Sequence, residues 1–285
     1  MTALVHTARR GVEHVVDSQV APVGSFTVRR ALPARERHAV GPWVFLDHFG
    51  PFKAKPGVDG VGAHPHAGIE TVTYLLEGRN EHRDSAGHHG IVGAGGAQWM
   101  TAGRGIVHSE HPLDTVQHGI QLWTSLPRTR KQMEPRYQRI DAKDIPQVER
   151  SLARVRVIAG EFDGTQGPAE MLMPLFLWHA TLPASERLEA DLDPGFEAAA
   201  YVIDGEGRFG PAGTLARQGQ LVMWDNTDGA IRVENAGPGS LDMLVLGGTP
   251  AEGPLVFHGP FVMNSVEQVR AAEIAYRTGR MGTLE

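Results

Sequence analysis

The sequence predicts an all-β chain built from two copies of one strand-rich fold, followed by a single short C-terminal helix. Three observations carry that expectation. Apolar alternations are broken every few residues by glycine or proline, an internal repeat joins the two halves, and the helix signal is confined to the end of the chain. Among 285 residues there are 35 Gly and 19 Pro, a supply of turn formers that favours many short strands over long helices.

The elements follow in order. "SFTVRRAL", "WVFLDHFGPF", "ETVTYLLEG", "GIVGAGGAQWMTAG" and "HGIQLWTSLP" read as strands of a β-sandwich or barrel between residues 20 and 130. A polar segment over 128–150 reads as the crossover between halves. Strands resume at "ARVRVIAG", "LFLWHATL", "AAAYVIDGEG", "QLVMWDN" and "LDMLVLGG". Ser265, with Gln268 three residues on, makes a capping box, and Gly279 or Gly282 stops the helix it opens.

The repeat appears when "HPHAGIETVTYLLEG" (64–78) is laid over "DLDPGFEAAAYVIDG" (191–205) without a gap. Gly68, Glu70, Tyr74 and Gly78 meet Gly195, Glu197, Tyr201 and Gly205. His64 and His66 meet Asp191 and Asp193 instead. Recurring residues serve the fold, and the histidines stand outside it. Domains are expected at 1–135 and 136–285.

Composition excludes several functions. A net charge of −6 and no basic block longer than "RTRK" leave no footprint for direct nucleic-acid binding. The absence of cysteine excludes a disulfide scaffold, a thiolate metal site and a cysteine nucleophile. No apolar run suits a signal peptide or a membrane span, so a cytoplasmic protein is expected. No oligomer signal stands out, and a monomer is the default.

Twelve of the 14 histidines fall at or before His118, so a metal, if bound, belongs to the first half. His64 and His66 at i and i+2 share one face of a strand, roughly 6–7 Å apart along the chain. A second such pair, His108 and Glu110, stands in "MTAGRGIVHSEHP" after the turn Gly103–Arg104–Gly105. If the two segments face one another, three neutral imidazoles and one carboxylate converge on a divalent transition metal and leave open positions in its shell. A closed structural zinc site usually has Cys and no vacancy. Glu70 is a rival carboxylate, but its recurrence as Glu197 points to a structural or supporting role. His111 is out of phase with Glu110. His82, His88 and His89, in "EHRDSAGHHG", are assigned to a surface hairpin loop and left out of the site.

"GPWVFLDHFGPF", "HPHAGIETVTYLLEG", "MTAGRGIVHSEHP", "GIQLWTSLP", "KQMEPRYQ" and "HGPFVMNSVEQVRAAEIAYRTGR" together resemble the pirin family of the cupin superfamily, from residue 20 to the C-terminus. The resemblance implies two cupin (double-stranded β-helix, jelly-roll) barrels packed face to face, with metal only in the first. It implies His64, His66, His108 and Glu110 as ligands, with Fe(II) the first candidate and Ni, Cu, Mn, Co or Zn as alternatives. Seven residues separate Glu70 from Gly78 where the general cupin motif has six. Gly103 and Pro112 replace a proline and an asparagine of the second motif. Pirins share these departures, so roles from other cupins are not moved onto Glu70.

The resemblance implies two functions. One is a quercetin 2,3-dioxygenase-like enzyme, opening a flavonol with O₂ and releasing CO, with Glu110 as proton acceptor. Trp43, Phe45, Trp99 and Trp123 are the aromatics expected to line its cleft. The other is a metal- and redox-dependent regulator of a transcription factor or metabolic enzyme, with Arg29, Arg30, Arg35 and Arg37 as a candidate patch.

Overall fold

A computed structural model describes residues 8–284. Strands dominate, and the α-helix Val266–Arg277 begins where the capping box placed it: Ser265 Oγ accepts from Gln268 N at 3.2 Å. Gly279, at φ +71°, follows its end. No helix among the described residues is long and apolar enough to cross a membrane.

The chain forms two compact units. The histidine unit comprises Gln19–Leu32, Pro42–Asp144 and the segment from Ala251 onward. The other comprises the chain up to Ser18, Pro33–Gly41 and Ile145–Pro250. Each has one seven-stranded and one four-stranded antiparallel sheet, wired alike. In the histidine unit the large sheet runs Arg136–Ile140, Ala97–Thr101, Ile69–Glu77, Val116–Ser125, Trp43–Lys53, Phe26–Leu32, Gln19–Val23. In the other it runs Val12–Asp17, Gln220–Trp224, Glu197–Asp204, Leu241–Gly248, Leu175–Leu182, Ala153–Ala159, Gln147–Arg150. Ile69–Glu77 and Glu197–Asp204 therefore hold the same place, as the repeat required.

The repeat glycines show why they recur. Gly68 and Gly195 sit at φ +77° and +78°, and Gly78 and Gly205 at +86° and +83°. All four hold left-handed backbone that opens or closes the strand between them. Tyr74 and Tyr201 are both fully buried.

A single cut after residue 135 does not describe these units. Arg136–Ile140, inside the expected crossover, is an edge strand of the histidine unit, pairing Arg136 with Thr101 through Ile140 with Ala97. Val12–Asp17, from the start of the chain, pairs with Gln220–Trp224 in the other unit. The C-terminal segment also returns to the histidine unit. Ala67 bridges Phe261, and Val107, Met263, Val269, Ala272 and Met281 pack into one apolar cluster. Buried Lys131 pins that segment, donating from Nζ to Gly68 O, Val262 O and Ser125 Oγ at 2.8 Å each. Each large sheet needs a seventh strand at its Ala97–Thr101 or Gln220–Trp224 edge, and hydrogen bonding rather than sequence order decides which segment supplies it.

The two matched glycines give a test. A Cβ at Gly68 would lie 2.2 Å from Val262 O, whereas one at Gly195 meets nothing within 4 Å. Gly195→Ala is expected to cost about 1–2 kcal/mol, the strain of left-handed backbone alone. Gly68→Ala adds a clash against backbone and should cost roughly 3 kcal/mol or more. Urea unfolding of both variants measures the difference; equal losses would show that the C-terminal strand moves freely away.

Candidate metal centre

The site is built on the four-stranded sheet of the histidine unit, in the order Val61–His66, Ile106–Pro112, Arg79–Asp84, His89–Gly93. Val61–His66 is an edge strand, so Pro65, opposite Val107, can stand in it without costing an inner ladder bond. His64 pairs across from His108, and Asp84 flanks His108 on the far side. Side chains at every second position therefore converge on one inner face.

His64, His66 and His108 come together, with ligand atoms all within 4.8 Å of one another. His64 Nε2 lies 3.1 Å from His66 Nε2 and 3.0 Å from His108 Nε2. His66 and His108 are almost wholly buried, and His64 is partly open. The proton positions follow from the partners. His64 Nδ1 is 2.7 Å from Gly62 O, and His66 Nδ1 is 3.1 Å from Pro260 O. A carbonyl only accepts, so both Nδ1 atoms carry hydrogen, and in neutral rings both Nε2 atoms present lone pairs.

Burial keeps His66 and His108 neutral. It lowers His66 to about 3, helped by the neighbouring His64, and holds His108 well below the ordinary imidazole value, helped by His66, His64 and His82. Lone pairs facing one another at this distance repel unless a cation lies among them. Three imidazoles of this kind fit a transition metal.

Glu110 is not part of that cluster. A register shift between His108 and Glu110 sets Glu110 opposite Val61. Its Oε1 instead meets Gln98 Nε2 at 2.5 Å, Thr73 Oγ1 at 2.6 Å and Asn80 Nδ2 at 3.3 Å. Glu70 is buried elsewhere: Oε1 accepts from Thr101 Oγ1 at 2.7 Å and Oε2 from Thr124 Oγ1 at 3.3 Å, while burial raises its carboxyl. His111 turns toward Asp59 O.

The expected surface position of His82 is corrected. Arg79–Asp84 is a strand, His82 is 1% exposed, and its Nδ1 lies 3.4 Å from His108 Nδ1. Its Nε2 donates to Asp84 Oδ2 at 3.0 Å. His88 also bonds Asp84 through Nδ1 at 2.9 Å, whereas exposed His89 pairs with Glu81. No apolar signal marked it: Asn80, His82 and Asp84 are buried while Arg79, Glu81 and Arg83 are not, yet all six side chains are polar. The alternation is polar on both faces, so an apolar pattern cannot report it.

The expected aromatic lining divides. Trp43 and Trp99 are fully buried and pack edge to face at 6.0 Å in the core. Phe45 and Trp123 are partly open, stack at 4.0 Å, and Trp123 meets the His66 ring edge-on at 4.9 Å. Arg30 lies 4.7 Å over Phe45 and grips Asp47 with two bonds of 2.8 and 2.7 Å.

Comparison with known proteins identifies the family and the fold. The Pirin family model matches residues 25–124, and the Pirin C-terminal cupin domain matches residues 177–282. Pirin-1 of Arabidopsis thaliana is 37% identical over 257 residues, covering 90% of this chain and 88% of its own. Pirin of Rattus norvegicus is 34% identical over 259 residues, covering 90% and 87%. A crystal structure of quercetin 2,3-dioxygenase from Acinetobacter baumannii shares the fold at a TM-score of 0.89 and 29% identity, covering 98% of this chain and 100% of that one. With both family domains in sequence order and two strand-rich units wired alike, this chain belongs to the pirin family and carries its two cupin domains.

Proposed function

We propose that the chain holds one divalent transition metal, Fe(II) by preference, and opens the heterocyclic ring of a flavonol such as quercetin with O₂, releasing CO. The observation that supports it most is the convergence of His64, His66 and His108, in which the Nε2 lone pairs of His64 and His66 oppose one another at 3.1 Å. These three residues would hold the ion, with Glu110 as a fourth ligand. Once bound, the metal supplies Lewis acidity to the hydroxyl and carbonyl edge of the flavonol and a site for O₂ chemistry.

The chain's own residues have separate tasks. Gln98, Thr73 and Asn80 hold Glu110 through Oε1, so Oε2 is the oxygen assigned to the ion and to the proton leaving the substrate hydroxyl. Trp123, stacked on Phe45 and partly open, stands beside His66 and offers an aromatic surface for a planar flavonol. The relative from Acinetobacter baumannii, named as a quercetin 2,3-dioxygenase, supports this substrate class. The regulatory alternative receives less support. Of the four arginines considered for a partner patch, Arg30 is committed to Asp47 and Arg37 to Glu13.

Oxygen uptake with quercetin, after anaerobic metal analysis, tests the proposal. The wild type should bind one equivalent of metal and consume O₂, and His108→Ala should lose metal and turnover together. Trp123→Ala should keep its metal and raise KM about tenfold, the order expected for a lost stacking contact. Stoichiometric metal without flavonol-dependent uptake would favour the regulator.

Acid should release the metal. Protons compete for His66, whose free-ring value in the fold is about 3 against 6.5 outside it. A group with a lowered value leaves the unfolded chain binding more protons, so metal-free stability is full above pH 6.5 and falls as pH drops toward 3. His48, lowered to about 3 by burial and by His118, adds to the same slope. Each contributes about 1.4 kcal/mol per pH unit inside that window. Melting of the metal-free protein from pH 7 to 4 checks the sign; a flat profile would sink it.

A further inference from the structure

We propose that His82, oriented by Asp84, is a positioning residue that fixes the ring and the tautomer of His108 for metal binding. The inference rests on the assignment of His64, His66 and His108 to a metal. It concerns the direction of a hydrogen-bond chain that starts at a buried carboxylate and ends at the ligand nitrogen.

With one proton on each imidazole, the chain has one consistent arrangement. Ionised Asp84 only accepts, so His82 Nε2, 3.0 Å from Oδ2, carries hydrogen. With that single ring proton, His82 has its lone pair on Nδ1, facing His108 Nδ1 at 3.4 Å. His108 must therefore donate from Nδ1, which leaves the lone pair on Nε2, the atom 3.0 Å from His64 Nε2. The proton that His82 directs from Nε2 to Asp84 thus determines where His108 is basic. The 3.4 Å contact is long for a hydrogen bond, and a cation on Nε2 would make the opposite N–H a stronger donor.

Each member of the chain is held in place. Asp84 also accepts from the backbone N–H groups of Ala86 and His88, both at 3.0 Å, and from His88 Nδ1 at 2.9 Å. Its acceptor role is therefore enforced by the following turn. The His82 ring is covered by Tyr137, stacked at 4.6 Å with 16° between the planes. Gly90 makes room for that tyrosine: a Cβ there would lie 2.1 Å from Tyr137 Oη. His82 and the Asp84 side chain are 1% and 0% exposed, so water does not compete for either group. An imidazole between ligand and carboxylate also keeps the negative charge of Asp84 away from the ion while passing on its orientation.

The test compares wild type, His82→Gln and His82→Phe by anaerobic Co(II) titration, alongside melting of the metal-free proteins. The Gln amide can accept from His108 and donate to Asp84; Phe keeps the stack on Tyr137 but can do neither. Wild type should bind one Co(II). Phe should weaken binding about 10–100-fold and change the Co(II) d–d absorption, and Gln should stay within about threefold of wild type. A second measurement needs no variant. In the Zn(II)-loaded wild type, ¹⁵N spectra of the histidines should show His82 protonated on Nε2 and His108 on Nδ1. Binding by the Phe variant within twofold of wild type, or a proton on His82 Nδ1, overturns the inference while the metal assignment stands. A wild type that binds no Co(II) removes the metal assignment and this inference with it.

Discussion

Three imidazole rings gathered with His64 Nε2 about 3 Å from the Nε2 atoms of His66 and His108 are the constraint on which the histidine unit depends. Such an arrangement is unfavourable alone, and it persists because each Nδ1 is engaged behind it. Gly62 O lies next to His64, Pro260 O next to His66, and His82 next to His108. The Pro260 contact explains why the C-terminal segment matters. It must come back to this sheet, and the Ala67–Phe261 bridge and buried Lys131 hold it there. Protein elements far apart in sequence thus act together to prepare one set of nitrogen atoms.

The other unit shows the same scaffold without that constraint. The inner positions of its four-stranded sheet include Leu188, Ala190, Phe209, Ala216, Ile231 and Val233, all buried in one apolar core, with Asn235 the buried polar residue at the end of its strand. In the histidine unit the corresponding sheet points His64, His66, Asn80, His82, Asp84 and His108 inward, with Glu110 beside them. Apolar packing needs no partners, whereas each buried polar group must find one. This difference accounts for the dense hydrogen bonding around Glu110 and Asp84 and for its absence from the matched apolar positions. Asp191 and Asp193 stand outside any strand, where the matched histidines form one.

Much of this was legible in the residues. The strands, the capped helix, the duplication and the HPH and HSE pairs follow from periods of two and from glycine turns. These depend on neighbours within a few positions. Three features were not legible. The "NEHRD" strand is polar on both faces, so its buried side gives no hydrophobic contrast. The spacing set the Glu110 carboxylate on the face of His108, whereas a register shift puts Glu110 opposite Val61 and three side-chain donors hold its Oε1. The edge strands Val12–Asp17 and Arg136–Ile140 cross the expected boundary because any strand with free hydrogen bonds can complete a sheet.

By itself, then, the sequence determined the local grammar of this protein: most of its strands, where the chain turns, and which histidines stand in metal-ligand spacing. Only the tertiary structure decided which strands pair, which segment completes each unit, and that His82 and Asp84 stand behind His108. The physical reason is one of range. Alternation and turn chemistry are written between neighbours, whereas the partner of a buried nitrogen, such as Pro260 for His66, lies 194 residues away and is selected by packing.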